Sequence, residues 1–242
     1  AQGVRTLCRF FDAGLAAEIL RQYGPADLFV AANVMCHIPD LHAVMEGMKT
    51  LLKPDGVAVF EDPYLGDMIE KTSYDQIYDE HAFLFSVHSI RHLVSLHGME
   101  IVNVEAIPTH GGSVRFFASK LGTRRPATSV ERWIRREKDM GLDRPEIYSR
   151  FRQNCEQSRD QLVSLLRKLY REGKRVVGYA ATSKSTTVIN YCGLTTDLVE
   201  FISDTTPLKH GTFSPGAHIP VRPHQAFVER YPDLKGLVRI LP

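Results

Sequence analysis

The fold class is set by residues 27–61, which read DLFVAANVMCHIPDLHAVMEGMKTLLKPDGVAVFE. Asp27 to Ala32 form a short apolar run, as in a strand that is buried on both faces of a parallel sheet. Leu41 to Leu52 place apolar residues at helical spacing, and the turn formers at 53–56 stop that helix. Val57 to Glu61 read as a second buried strand. Strand, helix, turn and strand in this order predict a parallel crossover and an α/β fold.

The rest of the chain extends this sheet and then begins another. Ser89 is a candidate N-cap for a helix through Leu96, and residues 100–107 and 113–119 read as a closing antiparallel pair. A second α/β pattern follows a charged helical stretch, with strands at 175–179 and 198–202 and a helix at 185–192. We therefore predict a first sheet domain at 1–122, a helical connector at 123–172 and a second, smaller α/β domain at 173–242.

The composition is that of an ordinary globular protein and disfavours several function classes. The net charge is only +2, from 30 basic and 28 acidic residues, which argues against wholesale binding to nucleic acid or a membrane surface. No apolar run approaches the roughly 18 to 20 residues that span a bilayer. We expect a cytoplasmic monomer with neither nucleic acid nor membrane as a partner.

The four cysteines give no sign of a metal site. Cys8, Cys36, Cys155 and Cys192 are scattered, with no CxxC or CxxH spacing. Zinc sites usually show such close pairs, and disulfide scaffolds contain denser cysteine. We therefore predict free thiols in a reducing compartment and no metal in this chain.

Residues able to move a proton follow both strands of the crossover. His37 follows the first strand, and Tyr78, Glu80 and His81 lie in a polar stretch after the second. Ligands of open parallel sheets bind outside the carboxyl ends of the strands, so these groups are expected at one edge. A histidine can accept a proton, a carboxylate can orient it, and a further donor can stabilise an enolate oxygen. The alternative is a loop whose polar side chains only satisfy one another.

Longer motifs around these residues resemble a known enzyme family. Residues 33–39 and 51–56 resemble the fourth and fifth strand region of class I S-adenosylmethionine (SAM)-dependent methyltransferases, which have a Rossmann-like sheet. FEDPYLGD at 60–67 and YDQIYDEH at 74–81 are more specific. They closely resemble the sugar 3-C-methyltransferases that build branched deoxysugars of the tetronitrose and mycarose type. Further resembling motifs lie at 110–115, 178–185, 204–207 and 214–221.

This resemblance implies methyl transfer from SAM to carbon 3 of a dTDP-4-keto-deoxysugar. His81 would be the base, Glu80 would accompany it in the active site, and one of Tyr78 and His37 would donate to the enolate oxygen. Two alternatives stay open, a small-molecule O-methyltransferase and a non-catalytic nucleotide-sugar-binding fragment. A dinucleotide-binding oxidoreductase is disfavoured, because the glycine fingerprint is absent.

The resemblance also implies residues for cofactor and substrate. Phe11 and Asp12 match the position that flanks the adenine of SAM, and Asn33 follows the strand beneath its methionine part. A helix start near Lys184 would suit a pyrophosphate, although small residues there could instead permit tight packing. The expected substrate-binding residues are His110, Arg115, Tyr179, Ser183 and Lys184.

The sequence departs from the family pattern by omission. The glycine-rich SAM turn, the acidic residue that holds the ribose and the family's N-terminal zinc-binding domain would all precede Ala1. The chain does not begin with Met, and residues 236–241 read as a strand cut short. We therefore expect a piece of a longer protein, with zinc only in the missing domain.

Overall fold

The computed structural model describes residues 3–230, with the side chain of Arg230 left out. The chain forms two compact units, one from residues up to 71 together with 79–147, the other from 72–78 together with the chain from 148 onward. Each unit has its own sheet and hydrophobic core, which confirms the mixed α/β class. Within the described residues, no helix has both the length and the hydropathy needed to cross a membrane.

The first unit is built on a four-stranded sheet. Its strands are β1 (Ala26–Ala32), β2 (Leu52–Pro63), β3 (Met99–Ile107) and β4 (Ser113–Lys120), and its helices are α1 (Ala13–Tyr23), α2 (Leu41–Leu51), α3 (Leu65–Lys71), α4 (Val87–Leu96) and α5 (Thr128–Met140). The strand order is β1-β2-β4-β3, with β1 parallel to β2 and the other two pairs antiparallel. The predicted crossover and the closing antiparallel pair are both confirmed.

Three local predictions differ from the structure. Strand β1 is not buried on both faces, because Leu28 is 56% and Val30 is 64% exposed. Residues 53–56 do not form a separate turn, because β2 already starts at Leu52 and its pairing shifts register between Ala26 and Leu28. The N-cap of α4 is Ser86 rather than Ser89. The two serines form a capping box in which each side-chain hydroxyl accepts from the other's amide at 3.0 Å. Either serine fits the cap by composition, so the sequence does not identify the first turn.

Packing against the two central strands fixes the carboxyl end of β2. Phe60 of β2 and Phe116 of β4 are each 1% exposed, and their ring centroids lie 5.2 Å apart. Met45 of α2, Ile90 of α4 and Trp133 of α5 complete this core. The last residues of β2 therefore emerge from a well-packed sheet at a defined position.

The second unit holds a three-stranded parallel sheet of order β5-β6-β7. Its elements are most of α6 (Pro145–Arg171), β5 (Gly178–Tyr179), α7 (Ser183–Tyr191), β6 (Ile202–Asp204), β7 (Val221–Pro223) and α8 (His224–Arg230). The strands are shorter than predicted, and α7 begins before the predicted residue 185. The predicted strand at 236–241 lies outside the described residues.

The helical stretch between the two sheets is divided by packing. Two helices meet near residues 141–145, where Gly141 takes the left-handed conformation that ends α5. Helix α5 packs in the first unit, and α6 lies in the second from Tyr148 onward. The domain boundaries 1–122, 123–172 and 173–242 stay a prediction.

Candidate active site

The candidate site of the first unit begins where β1 ends. Asn33 follows Ala32 with φ of 52°, a left-handed conformation that asparagine tolerates better than most residues, and its amide donates to the Glu61 carbonyl at 2.7 Å. A short 3₁₀ turn, Met35–His37, comes next. Because its apolar side chains point into the core, Met35 and Cys36 are buried and His37 is exposed.

Asp62 near the end of β2 anchors this turn. Its Oδ1 accepts a hydrogen bond from the Cys36 amide at 3.1 Å, and the residue is 1% exposed. Its Oδ2 is buried and has no hydrogen-bond partner within residues 3–230. Burial raises the pKa of Asp62 to about 6, and its hydrogen bonds with Cys36 offset this only in part. Burial also raises the pKa of the Cys36 thiol, with a further contribution from Asp62.

His37 and His81 lie beside one another at this sheet edge. Their ring centroids are 5.0 Å apart. His37 Nδ1 lies 2.7 Å from the carbonyl oxygen of Glu80. Because a carbonyl can only accept, Nδ1 of His37 carries the proton and Nε2 of the neutral ring keeps its lone pair. The Phe83 amide donates to the Cys36 carbonyl at 3.2 Å and fastens the segment that carries His81 to the turn.

The other two predicted catalytic residues take different positions. Glu80 contributes its main-chain carbonyl to this arrangement, while its side chain is exposed. Tyr78 is half-buried and belongs to the second unit. The motif at residues 78–81 is therefore divided between the units.

The structure also brings together a group that the sequence analysis did not anticipate. One ligand atom from each of Cys36, His37 and His81 lies within 4.8 Å of the others, which is close enough for a metal-ion site. Adjacent Cys and His residues are not a usual zinc spacing, and His81 is distant in the chain. A cysteine beside a histidine shortly after a predicted strand was the available signal.

The predicted SAM residues surround the start of α1 and the end of β1. Phe11 is half-buried, with its ring centroid 5.0 Å from that of Phe29. Asp12 is the N-cap of α1, and its Oδ1 accepts from the Leu15 amide at 2.7 Å. Asn33 Oδ1 is buried, and no hydrogen-bond partner for it exists in the described part of the chain. Asn33 therefore retains an acceptor that a ligand could use.

Two predicted substrate residues lie on or beside β4. Arg115 donates from Nε and Nη2 to Glu61 Oε2 of β2, at 3.0 and 2.8 Å, so its guanidinium already has an anionic partner. His110 is exposed in the turn between β3 and β4, with φ of 54°.

The other three predicted substrate residues lie at the carboxyl edge of the second sheet. Tyr179 ends β5 and is 62% exposed, and Ser183 and Lys184 form the first turn of α7. The N-cap of α7, Thr182, forms a capping box with Ser185. This leaves the first amides of α7 facing the same edge as the strand ends.

Asp204 organises this edge and was not among the predicted site residues. Its carboxylate accepts from the Ala181 and Thr206 amides, each at 2.7 Å, and lies 3.4 Å from Lys209 Nζ. Burial alone would raise its pKa, but these contacts outweigh burial and lower the pKa of Asp204 to about 2. The sequence signal was an Asp-Thr pair at the end of a predicted strand.

Two models of known protein families match this chain. Residues 108–242 match the C-methyltransferase C-terminal domain, and residues 5–104 match a methyltransferase domain. The chain belongs to the C-methyltransferase family. The family predicted from the motifs is thereby confirmed, and the two matched domains account for most of the chain.

A curated relative supports this membership. The C-methyltransferase NovU of Streptomyces niveus is 36% identical over 229 residues, covering 93% of this chain and 54% of that protein. The chain thus spans about half the length of this relative of the C-methyltransferase family.

Solved structures are less similar to the chain. A magnesium protoporphyrin IX methyltransferase from Synechocystis, with bound SAH, is 16% identical over 40% of this chain and 45% of its own, with a TM-score of 0.32. A SAM-dependent methyltransferase from Anabaena variabilis is 17% identical over 48% and 57%, with a TM-score of 0.34. The fold assignment rests on the strand order of the first sheet and on the match to the methyltransferase domain.

Proposed function

We propose that this chain is part of a SAM-dependent C-methyltransferase that methylates carbon 3 of a dTDP-linked 4-keto-deoxysugar. The observation that carries the proposal is the pair His37 and His81, placed at the carboxyl ends of parallel strands in a member of the C-methyltransferase family. The relative NovU is named a C-methyltransferase, which favours carbon over oxygen as the methyl acceptor.

In this proposal His81 removes the proton from carbon 3, which the adjacent ketone makes acidic. The electron pair of the broken C–H bond moves into the bond toward carbon 4, and negative charge develops on the ketone oxygen. A donor from Tyr78, or from His37 with a proton on both ring nitrogens, stabilises that oxygen. The tautomer of His37 is held by the Glu80 carbonyl at 2.7 Å, which keeps the ring oriented beside His81.

Three residues fit a role in holding SAM, which when bound supplies an electrophilic methyl group on its sulfonium. Asn33 offers a buried, unpaired Oδ1 at the end of β1, where a ligand's ammonium or amide could donate to it. Asp12 caps α1 with Oδ1, and within residues 3–230 its Oδ2 remains to accept from an adenine amine. The half-buried ring of Phe11 would lie against the adenine.

Each unit contains groups suited to a sugar nucleotide. Arg115 and His110 are proposed to contact it from the first unit. In the second unit, the first turn of α7 offers main-chain N–H groups and Lys184 to the pyrophosphate, and Tyr179 offers an exposed ring. Helix α7 is nine residues long and capped, so its N-terminal amides are preorganised.

The base assignment is tested by replacing His81 in the full-length enzyme. We expect His81→Asn to abolish sugar methylation, because asparagine cannot accept a proton, while SAM affinity stays close to that of the parent enzyme. Turnover is measured with methyl-labelled SAM, and SAM binding by calorimetry. His92→Asn is the matched control, since His92 is exposed on α4.

Two outcomes would contradict the proposal in different ways. Sugar methylation retained by His81→Asn excludes His81 as the base. A product of the unmodified enzyme that carries its new methyl group on oxygen or nitrogen, shown by the absence of a new carbon–carbon bond in its NMR spectrum, excludes C-methylation.

A further inference from the structure

We propose that Cys36, His37 and His81 form a binding site for a zinc-like divalent transition metal. One sulfur and two imidazole nitrogens lie within 4.8 Å of one another, and modest side-chain rotation brings such atoms to the separations found around tetrahedral zinc. The site goes beyond the proposed methyl transfer, and it departs from our expectation that this chain holds no metal.

The surroundings of His37 have the arrangement found around metal ligands. Metal-bound histidines generally donate their second ring N–H to a carbonyl or carboxylate, which fixes the tautomer. His37 Nδ1 donates in this way to the Glu80 carbonyl at 2.7 Å, which leaves Nε2 as the coordinating nitrogen. Glu80 directly precedes His81, so one short segment supplies both a ligand and the group that orients another ligand.

The surroundings of Cys36 fix the third ligand. The Cys36 amide is bonded to Asp62, and the Cys36 carbonyl accepts from the Phe83 amide, so the main chain on both sides of the thiol is held. A mixed sulfur and nitrogen donor set favours zinc and cobalt(II) over magnesium or calcium, which require oxygen ligands. Three protein ligands leave a fourth position for water, as in zinc sites that are open to solvent.

Metal binding at this site must release a proton. The Cys36 thiol loses its proton to solvent as the sulfur forms its bond to the metal, and no electrons are transferred. Because the sulfur binds the metal as a thiolate, binding should strengthen as the pH rises. The affinity should rise with pH for any metal ion that the Cys36 sulfur coordinates.

The consequence for catalysis rests on the proposed function. A metal on His81 occupies the lone pair that would accept the substrate proton, so the metal-bound site cannot act as the base. The site would therefore make the enzyme sensitive to inhibition by zinc, with recovery after chelation.

Binding is tested first on the 242-residue chain, without any activity measurement. Cobalt(II) is titrated anaerobically into the Cys8→Ser chain, which lacks the exposed thiol that could compete. We expect one cobalt per chain, a thiolate-to-cobalt absorption band and the visible bands of a four-coordinate ion. His37→Gln and His81→Gln should each weaken cobalt binding at least about tenfold. Replacing even a residue that only orients a metal ligand usually lowers metal affinity by that factor.

The thiolate band identifies the sulfur. Cys36→Ser on the same background should remove this band, whereas Cys192→Ser, a buried thiol of the second unit, should leave the titration unchanged. Because Cys36 is buried and its replacement could disturb folding, the exposed His37 provides the second variant, and thermal melting verifies each fold. A band that survives Cys36→Ser, or a Cys8→Ser chain that binds no cobalt, would overturn the proposal.

A second measurement separates this inference from the proposed function. In the full-length enzyme, zinc should inhibit Cys36→Ser less than the parent, with inhibition expressed as a fraction of each enzyme's own activity without zinc. An enzyme without sugar methylation whose 242-residue chain still shows the cobalt spectrum refutes the proposed function alone. Active enzyme whose 242-residue chain gives no cobalt signal refutes the metal site alone.

Discussion

Asp204 shows how one carboxylate can fix the end of a strand. It is 5% exposed, yet it stays charged because two main-chain amides and Lys209 surround it. The Ala181 amide belongs to the loop after β5 and the Thr206 amide to the loop after β6, so the side chain joins two neighbouring loops. A neutral side chain could not hold both amides equally well.

This contact predicts a dependence of stability on pH. The pKa of Asp204 is about 2 in the folded chain and about 3.8 when unfolded, so its stabilising effect is fully present above pH 3.8 and is lost as the pH falls toward 2. The expected contribution at neutral pH is about 2 kcal/mol. Urea unfolding of the second unit, measured across this pH range, should show the loss in the parent chain and little of it in Asp204→Asn.

Asp197 provides the comparison for this experiment. It is an exposed carboxylate in the loop after α7, so Asp197→Asn should leave the free energy of unfolding and its pH profile close to those of the parent. If Asp204→Asn also matches the parent at pH 7, the network around Asp204 does not contribute to stability as described.

At the residue scale, the sequence identified groups that can be read from type and place in the chain. His37 and His81 were expected at the same sheet edge, and their rings lie 5.0 Å apart, although their catalytic roles stay predictions. Cys36 and Asp62 were not anticipated as part of the site. Their importance comes from burial and from contacts between β1 and β2, and neither is visible in a single stretch of sequence.

Helix α4 is held at its N-terminus by a residue from another helix. Glu137 of α5 is 4% exposed and accepts from the Val87 amide at 2.5 Å and the His88 amide at 2.8 Å. The first amides of a helix have no partner within it, and a negative charge there also interacts favourably with the helix dipole. The contact therefore joins α4 to α5 while completing its cap.

Removal of this contact should destabilise the first unit. Glu137→Ala removes the acceptor of two N–H groups, of which the Val87 amide is buried, and we expect a loss of about 2 kcal/mol in the free energy of unfolding. Glu131→Ala on the same helix is the control, because Glu131 is 72% exposed and its pair with Arg91 is long, at 3.5 Å. That control should change stability by no more than about 0.5 kcal/mol. Equal effects of the two substitutions in urea unfolding would contradict this interpretation of Glu137.

At the element scale, periodicity predicted the long elements better than the short ones. Helix α2 and strand β1 form close to where their apolar runs predict them, although β1 is less buried than a strand covered on both faces. In contrast, β5 retains two residues, and only the last residue of the predicted strand 198–202 belongs to β6. The main-chain amide of Glu200 donates to the Val176 carbonyl at 2.9 Å, but residues 176 and 200 lie outside the paired residues of β5 and β6. Apolar composition predicts burial in such a segment but does not identify its hydrogen-bond partners.

At the scale of the whole molecule, two α/β patterns were visible in the sequence, but the path of the chain between the units was not. Residues 72–78 leave the first unit and pack in the second, where the Thr187 hydroxyl donates to the Ile77 carbonyl at 3.3 Å. Tyr74 Oη also lies 3.8 Å from Cys192 Sγ. These contacts join residues more than a hundred positions apart, and no local propensity encodes them.

The proposed roles of the two units, SAM binding in the first and nucleotide binding in the second, predict that the 242-residue chain binds dTDP and SAM with different affinities. The chain contains α7 and Lys184 but not the glycine-rich SAM turn, so in titration calorimetry it should bind dTDP and show no measurable SAM binding. Lys184→Ala should weaken dTDP binding about tenfold, the loss expected for one hydrogen bond to a charged phosphate. Lys174→Ala, an exposed lysine after α6, should have no effect. If Lys184→Ala binds dTDP as tightly as the parent does, the pyrophosphate is not held at the start of α7. Arg115 and His110 are then the remaining candidates for contacting it.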